Sequence, residues 1–210
     1  HQNKDLASLR AMTPSEIVTV VGGIVADNNY KRLQFLIDHN IPLHGAEKFA
    51  MRMSYNKGYT DMFEMLVMAG FSLSPCEKTA GANDRLRQQL QILLGLEKVK
   101  EDVANHPERY EFLKGYSAGI IKSGYMSSSY TRLDMPMIAW ALCLEPPEKI
   151  FKKMSPALQN DTEFKHGITF KMIIAQLGLK NRYAQFQTME KLDNFRASTP
   201  QPALRRRLKF

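Results

Sequence analysis

The segments Asn29–Leu43 and Tyr59–Leu73 of this 210-residue chain echo one another at a spacing of 30 residues. Leu33 falls under Phe63, Leu36 under Leu66, Asn40 under Gly70 and Leu43 under Leu73, and just ahead of them Asn28 falls under Gly58. Each segment reads as a short amphipathic helix, then a residue that tolerates a left-handed stop, then an apolar residue three places on. A helix pair of this length cannot bury its own apolar face, so two copies in tandem predict stacked helix–loop–helix bricks. Period-two alternation and hairpin dipeptides such as Asn-Gly give no convincing strand signal along the chain, and the expected fold class is all-α.

The start of the first brick is marked by Thr13-Pro14-Ser15-Glu16. The Thr hydroxyl can accept the Glu16 amide, Pro14 presets φ, and Glu16 can reach back to the Thr13 amide, so a helix is expected from there to about Ala26. The next helix is expected over Asn29–His39, with Leu33, Leu36 and Ile37 as its buried stripe and Asn40 as its left-handed stop before Ile41-Pro42.

With these residues in place, the segment Gly58–Gly70 and its counterpart Asn28–Asn40 resemble the second helix and closing glycine of the ankyrin-repeat family. The Thr-Pro-Leu-His start of that family's first helix is replaced by Phe49-Ala50-Met51-Arg52, and the spacing is 30 rather than about 33. The hairpin between Ile41 and Ala46 is then shortened or irregular. The resemblance covers residues 14–75 and implies a protein-interaction module whose loop tips and first helices form a concave surface. Carried over position by position, it implies partner contacts at Pro42, His44, Glu47, Lys48 and Arg52, and at an exposed loop around Phe71 and Ser72. Modules of this family occur in eukaryotic cytosolic proteins and in effectors that bacteria deliver into host cells.

Beyond Pro75 no repeat is legible. Asn83 or Asp84 can cap a long helix to about Ala104 carrying Leu86, Leu90, Leu93, Leu94 and Leu96, and Asn105-His106-Pro107 closes it. Further helices are expected over Pro107–Lys122, Pro136–Leu144, from Pro146 or Pro147 to Met154, and over Ile168–Leu177 and Arg182–Phe195. Tyr125–Tyr130 reads as a loop. The expected organisation is a repeat pair over residues 1–75, a helical domain stacked on it over 76–197, and a flexible basic tail over 198–210.

Composition limits the classes of function. With 44% hydrophobic and 24% charged residues the chain can bury a core. Its longest apolar stretches, Ile17–Ala26 and Met135–Leu144, are too short to span a bilayer. Residue 1 is His and no cationic start leads into an apolar run, so neither a signal peptide nor an intact natural N-terminus is expected. Cys76 and Cys143 fit no metal or disulfide spacing, which favours a reducing, intracellular setting. The net charge of +8 is lopsided: residues 1–105 hold 12 basic and 12 acidic side chains, residues 106–210 hold 17 and 9. Candidate contacts for an anion or nucleic acid are Lys149, Lys152 and Lys153 on one short helix, and Arg205, Arg206, Arg207 and Lys209 in the tail. Closely spaced cations of this kind serve phosphate contacts, localisation signals and anionic membrane surfaces alike, and no helix-turn-helix, zinc-finger or RNP-type motif accompanies them.

Catalytic and cofactor signals are weak. Cys143 lies in an apolar helix and would need a histidine such as His166 beside it to act as a nucleophile. Cys76 follows Ser74-Pro75 at a helix start, where amide dipoles can lower a thiol's pKa, but without a partner beside it the thiol is expected to be inert. His39, His44 and Glu47 lack the i, i+4 geometry of a helical zinc pair, Gly22-Gly23 precedes no phosphate loop, and no metal or cofactor is expected. Met51, Met53, Met62, Met65 and Met68 read as adaptable core. The expected function is a non-enzymatic adaptor that binds another protein, with the basic second half favouring an acidic partner through steering, and a nucleic-acid-binding helical protein and an effector enzyme with Cys143, His166 or Asp161 in a pocket are the alternatives.

Overall fold

Thr13 and Glu16 form the expected capping box: the Thr13 amide donates to Glu16 Oε2 at 2.7 Å and the Glu16 amide to Thr13 Oγ1 at 3.4 Å. These hydrogen bonds, backbone first, hold the Glu16 carboxyl below its ordinary range. The helix they open, α2 (Pro14–Ala26), follows α1 (Gln2–Arg10) and precedes α3 (Tyr30–Asp38), α4 (Ala46–Lys57) and α5 (Thr60–Ala69). A computed structural model describes residues 2–111, 137–153 and 164–198 of the chain. Among these residues every regular element is helical and no strand occurs.

The thirty-residue echo is a repeated pattern of turns. Asn28 and Gly58 both adopt left-handed backbone, φ 49° and 75°, and so do Asn40 and Gly70, φ 54° and 90°. Each is followed by the same reverse bond: Asn29 N to Ile24 O and Tyr59 N to Ser54 O at 2.9 Å, then Ile41 N to Leu36 O at 2.9 Å and Phe71 N to Leu66 O at 3.2 Å. These bonds satisfy carbonyls that a helix end leaves bare. The two hairpins stack helix on equivalent helix, α2 on α4 and α3 on α5. Leu33, Leu36, Phe63 and Leu66 are buried between them. Met51, Met62 and Met65 are buried and Met53 and Met68 pack at the core's edge, as expected of adaptable filling.

Where a third brick would begin, thirty residues after His44, the chain makes a 3-10 turn, Ser74–Cys76, held against α4. The long helix α6 (Asp84–Asn105) then crosses to the second half, capped by Asn83 and followed by a 3-10 turn, Pro107–Tyr110. The remaining described helices are α7 (Met137–Leu144), α8 (Pro147–Lys153), α9 (Phe170–Gln176) and α10 (Lys180–Ser198). Residues 112–136, expected to hold the rest of the Pro107–Lys122 helix and the Tyr125–Tyr130 loop, lie outside the described residues, as does the tail from residue 199.

The α9–α10 hairpin repeats the brick that sequence periodicity locates twice. Gly178, 120 residues after Gly58, is left-handed at φ 72°, and Leu179 N bonds to Ile174 O at 2.7 Å. Tyr183 N then bonds to Leu179 O at 2.9 Å, as Phe63 N does to Tyr59 O at 2.9 Å. The loop ahead of α9, His166-Gly167 at φ 62° and 75°, matches His44-Gly45 at φ 51° and 91° ahead of α4. This copy docks α9 on α5 and α6 instead of extending the stack of α2 and α4. Cations close the junctions: Lys180 Nζ donates to Ala69 O at 3.0 Å at the end of α5, and Lys100 Nζ to Leu177 O at 2.9 Å at the end of α9. Phe151, Phe170, Tyr183 and Phe186 stack at ring-centroid distances of 4.9 to 6.4 Å between α8, α9 and α10. One contiguous apolar cluster joins these residues to Ile17, Leu33 and Phe63 of the first two hairpins.

Candidate interaction face on the fourth helix

Helix α4 buries Ala46, Ala50, Met51, Ser54 and Tyr55 along one side. At 100° per residue that leaves Lys48, Phe49 and Arg52 on the opposite side, and all three are exposed. Phe49 keeps 39% of its surface in water. These side chains and Gly45 form one wall of a concavity of about 490 Å³ whose other wall is Ser74 and Pro75 of the 3-10 turn. The lining carries two cations and no carboxylate, and among the described residues neither Lys48 nor Arg52 has an acidic side chain within ion-pair distance. Like charges at i, i+4 repel by about 0.2–0.5 kcal/mol, a cost that an arriving anion relieves. The arrangement can therefore grip a carboxylate or phosphate beside an aromatic surface.

The sequence-expected contacts divide. Pro42, His44, Lys48, Arg52 and Ser72 are all exposed, and of these Lys48 and Arg52 line the concavity. Glu47 is turned onto its own loop, where Oε2 accepts the Gly45 amide at 2.9 Å and caps the first turn of α4. Phe71, expected on an exposed loop, is half-buried and packs on the core, because its amide closes α5. His39 bonds through Nδ1 to Phe35 O at 2.9 Å and stacks on the Phe35 ring at 4.1 Å, a loop role consistent with its position. Phe49, Ser74 and Pro75 join the face in addition to the contacts that the resemblance implies. An aromatic between two cations on a helix face that must point away from Ala46, Ala50 and Ser54 was the available signal.

The basic second half is less free than its composition implies. Lys149 Nζ pairs with Glu145 at 2.7 Å, and Arg182 makes a two-pronged bridge to Glu148 at 2.8 and 2.7 Å, which holds the Glu148 carboxyl below its ordinary range. Lys152 is exposed on α8, and Lys153 ends that helix. Arg205, Arg206, Arg207 and Lys209 lie outside the described residues.

Neither thiol is activated. Burial pushes Cys76 up to about 12 and outweighs any lowering by the helix start: the turn there is three residues long and the sulfur is sealed against Met51 O at 3.6 Å. Burial also pushes Cys143 up to about 11, with the charge of Lys100 opposing the shift. Cys143 lines a cleft of about 480 Å³ with Lys100, Glu145 and Arg182, but Glu145 and Lys100 are already engaged with Lys149 and the Leu177 carbonyl. Asp161 lies outside the described residues. Among the described residues no group of three His, Cys, Asp or Glu side chains could hold a metal ion, and no helix is long and apolar enough to cross a membrane. No protein family, curated protein or solved structure matches this chain.

Proposed function

We propose that the chain is a non-enzymatic protein-interaction module of ankyrin-like kind that takes an acidic segment of a partner on the outer face of α4. The observation that carries this reading is the exposed Lys48–Phe49–Arg52 strip over a concavity with no carboxylate in its lining. Desolvated aromatic and arginine side chains are the residue types that supply most binding energy at protein interfaces. The stacked α2–α3 and α4–α5 hairpins supply a rigid base for it. Lys149 and Arg182 in the basic second half face carboxylates of their own chain, so the attraction for an acidic partner rests on Lys48 and Arg52. The same pairing weighs against the nucleic-acid reading, and two raised thiols weigh against the nucleophilic enzyme reading.

Selection of a random peptide-display library on the immobilised chain tests the proposal. Enriched peptides are expected to carry Asp or Glu next to an apolar residue, to lose at least tenfold in affinity to Lys48→Glu/Arg52→Glu, and to weaken as salt is raised. Enrichment without acidic residues, or affinity indifferent to both substitutions, refutes it.

A further inference from the structure

We propose that Ser74 is a phosphorylation site whose phosphate fills the Lys48–Arg52 concavity and displaces the partner, an inference that rests on the acidic-partner reading above. The chain has four Ser-Pro or Thr-Pro dipeptides, at Thr13, Ser74, Ser155 and Thr199. Thr13 is committed to its helix: its hydroxyl donates to Glu16 Oε2 at 2.8 Å, so a phosphate there would meet a carboxylate. Ser155 and Thr199 lie outside the described residues. Ser74 is exposed and accepts a hydrogen bond from the Ser72 hydroxyl at 3.1 Å, which leaves its own proton uncommitted by that contact. Buried Leu73 and Cys76, 1% and 0% exposed, pin the turn on both sides, so Ser74 and Pro75 present themselves to the concavity opposite Lys48 and Arg52.

The modifying reaction is transfer of the γ-phosphoryl group from a magnesium nucleoside triphosphate by a proline-directed protein kinase. The Ser74 Oγ–P bond forms, the bond from the γ-phosphorus to the β–γ bridging oxygen breaks, the hydroxyl proton passes to the kinase's base, and the nucleoside diphosphate leaves. The product carries about −1.5 to −2 charges at pH 7 and faces two cations with no competing carboxylate in the lining. Held on the same chain, the phosphate competes with a partner's carboxylates at an effective concentration on the order of millimolar or above. Phosphorylation thus acts as an off switch by occupying the site with the protein's own anion.

The test treats the full chain with a proline-directed kinase and Mg-ATP, maps the phosphate by mass spectrometry, and follows its 31P shift against pH. The expected result is incorporation at Ser74 that Ser74→Ala abolishes. The second phosphate ionisation, near 6 in the urea-unfolded chain, should fall by about half a unit or more when folded, because two cations favour the dianion. Lys48→Gln/Arg52→Gln should return it to the unfolded value, and acidic peptides selected on the unmodified chain should bind the phosphorylated chain at least tenfold more weakly. No incorporation at Ser74, an undisplaced titration, or unchanged peptide affinity overturns the inference and leaves the acidic-partner reading standing. If the unmodified chain selects no acidic peptides, that reading falls and takes this inference with it, even where the titration is displaced.

Discussion

Glu64 on α5 reaches across to α6, and replacing it tests how the first two hairpins are tied to the rest. Its Oε1 accepts from Arg85 Nε at 3.1 Å, Arg85 Nη2 at 2.8 Å and Gln89 Nε2 at 2.7 Å. Gln89 is fully buried, and its Oε1 has no partner among the described residues. Substituting Glu64→Leu removes a partly exposed ion pair, worth less than about 1 kcal/mol because the Arg85 side chain is 46% exposed. It also strands the buried Gln89 amide, which costs about 1–3 kcal/mol. The expected loss is roughly 2–3 kcal/mol, a fall in Tm of about 5–10 °C for a chain of this size. Gln89→Leu alone should cost about 1 kcal/mol or less, since it removes an unpaired Oε1 along with the bonded amide. In the double variant no buried amide is left stranded, so its cost should fall at least about 1 kcal/mol short of the two single costs added together. Urea unfolding of the four proteins, read by far-ultraviolet circular dichroism, measures the cycle. Additivity within about 0.3 kcal/mol would show that the Glu64–Gln89 contact holds nothing together.

The left-handed turns give a graded series. An added Cβ at Gly58 meets Ala82 Cβ at 3.1 Å and Asn83 Nδ2 at 3.3 Å, whereas at Gly178 the nearest atom is Lys100 Nζ at 3.9 Å. Gly178→Ala should therefore cost about 1–2 kcal/mol from backbone strain alone, and Gly58→Ala more, by the same urea assay. Both thiols should resist Ellman's reagent at pH 8 in the native chain and react fully in urea; fast native labelling of Cys76 would contradict its burial. Because burial raises both thiols in the fold, their contribution to stability is complete below the unfolded value near 8.5 and is lost as pH rises from there toward 11 or 12. Urea midpoints should fall above pH 9, and Cys76→Ala/Cys143→Ala should flatten that fall. Phe49→Ser should leave stability within about 0.5 kcal/mol, since the ring is exposed, while weakening selected acidic peptides at least fivefold.

Local chemistry made much of the helical layout readable. Thr13, Pro14 and Glu16 dictate a helix start with atoms no more than three residues apart, and the structure has that box. Asn28, Asn40, Gly58 and Gly70 are residues that accept positive φ, and a helix must stop where the chain turns left-handed, so the echo and its four stops lay in residue types alone. What lay beyond local rules was decided by packing. Both helices of the α9–α10 hairpin are legible in the sequence, but their likeness to the earlier hairpins is not, because α9 is short and Gly178 stands 120 residues from Gly58, with an unlike run of helices between. Glu47 looked like a surface contact until the fold of its loop aimed its carboxylate at the Gly45 amide. Cys76 sits at a turn start, but its pKa is set by the wall of α4 against it. The positive excess of the second half spends Lys180 on a carbonyl of α5, and Lys149 and Arg182 on carboxylates of α7's end and α8, while Lys100 of the first half closes the end of α9. Periodicity and caps depend on neighbours along the chain, so the order of residues determines where helices begin and end. Which charges stay free, which thiols ionise and which aromatic faces water depend on neighbours brought together from distant positions, and those are set by the packing of the helices.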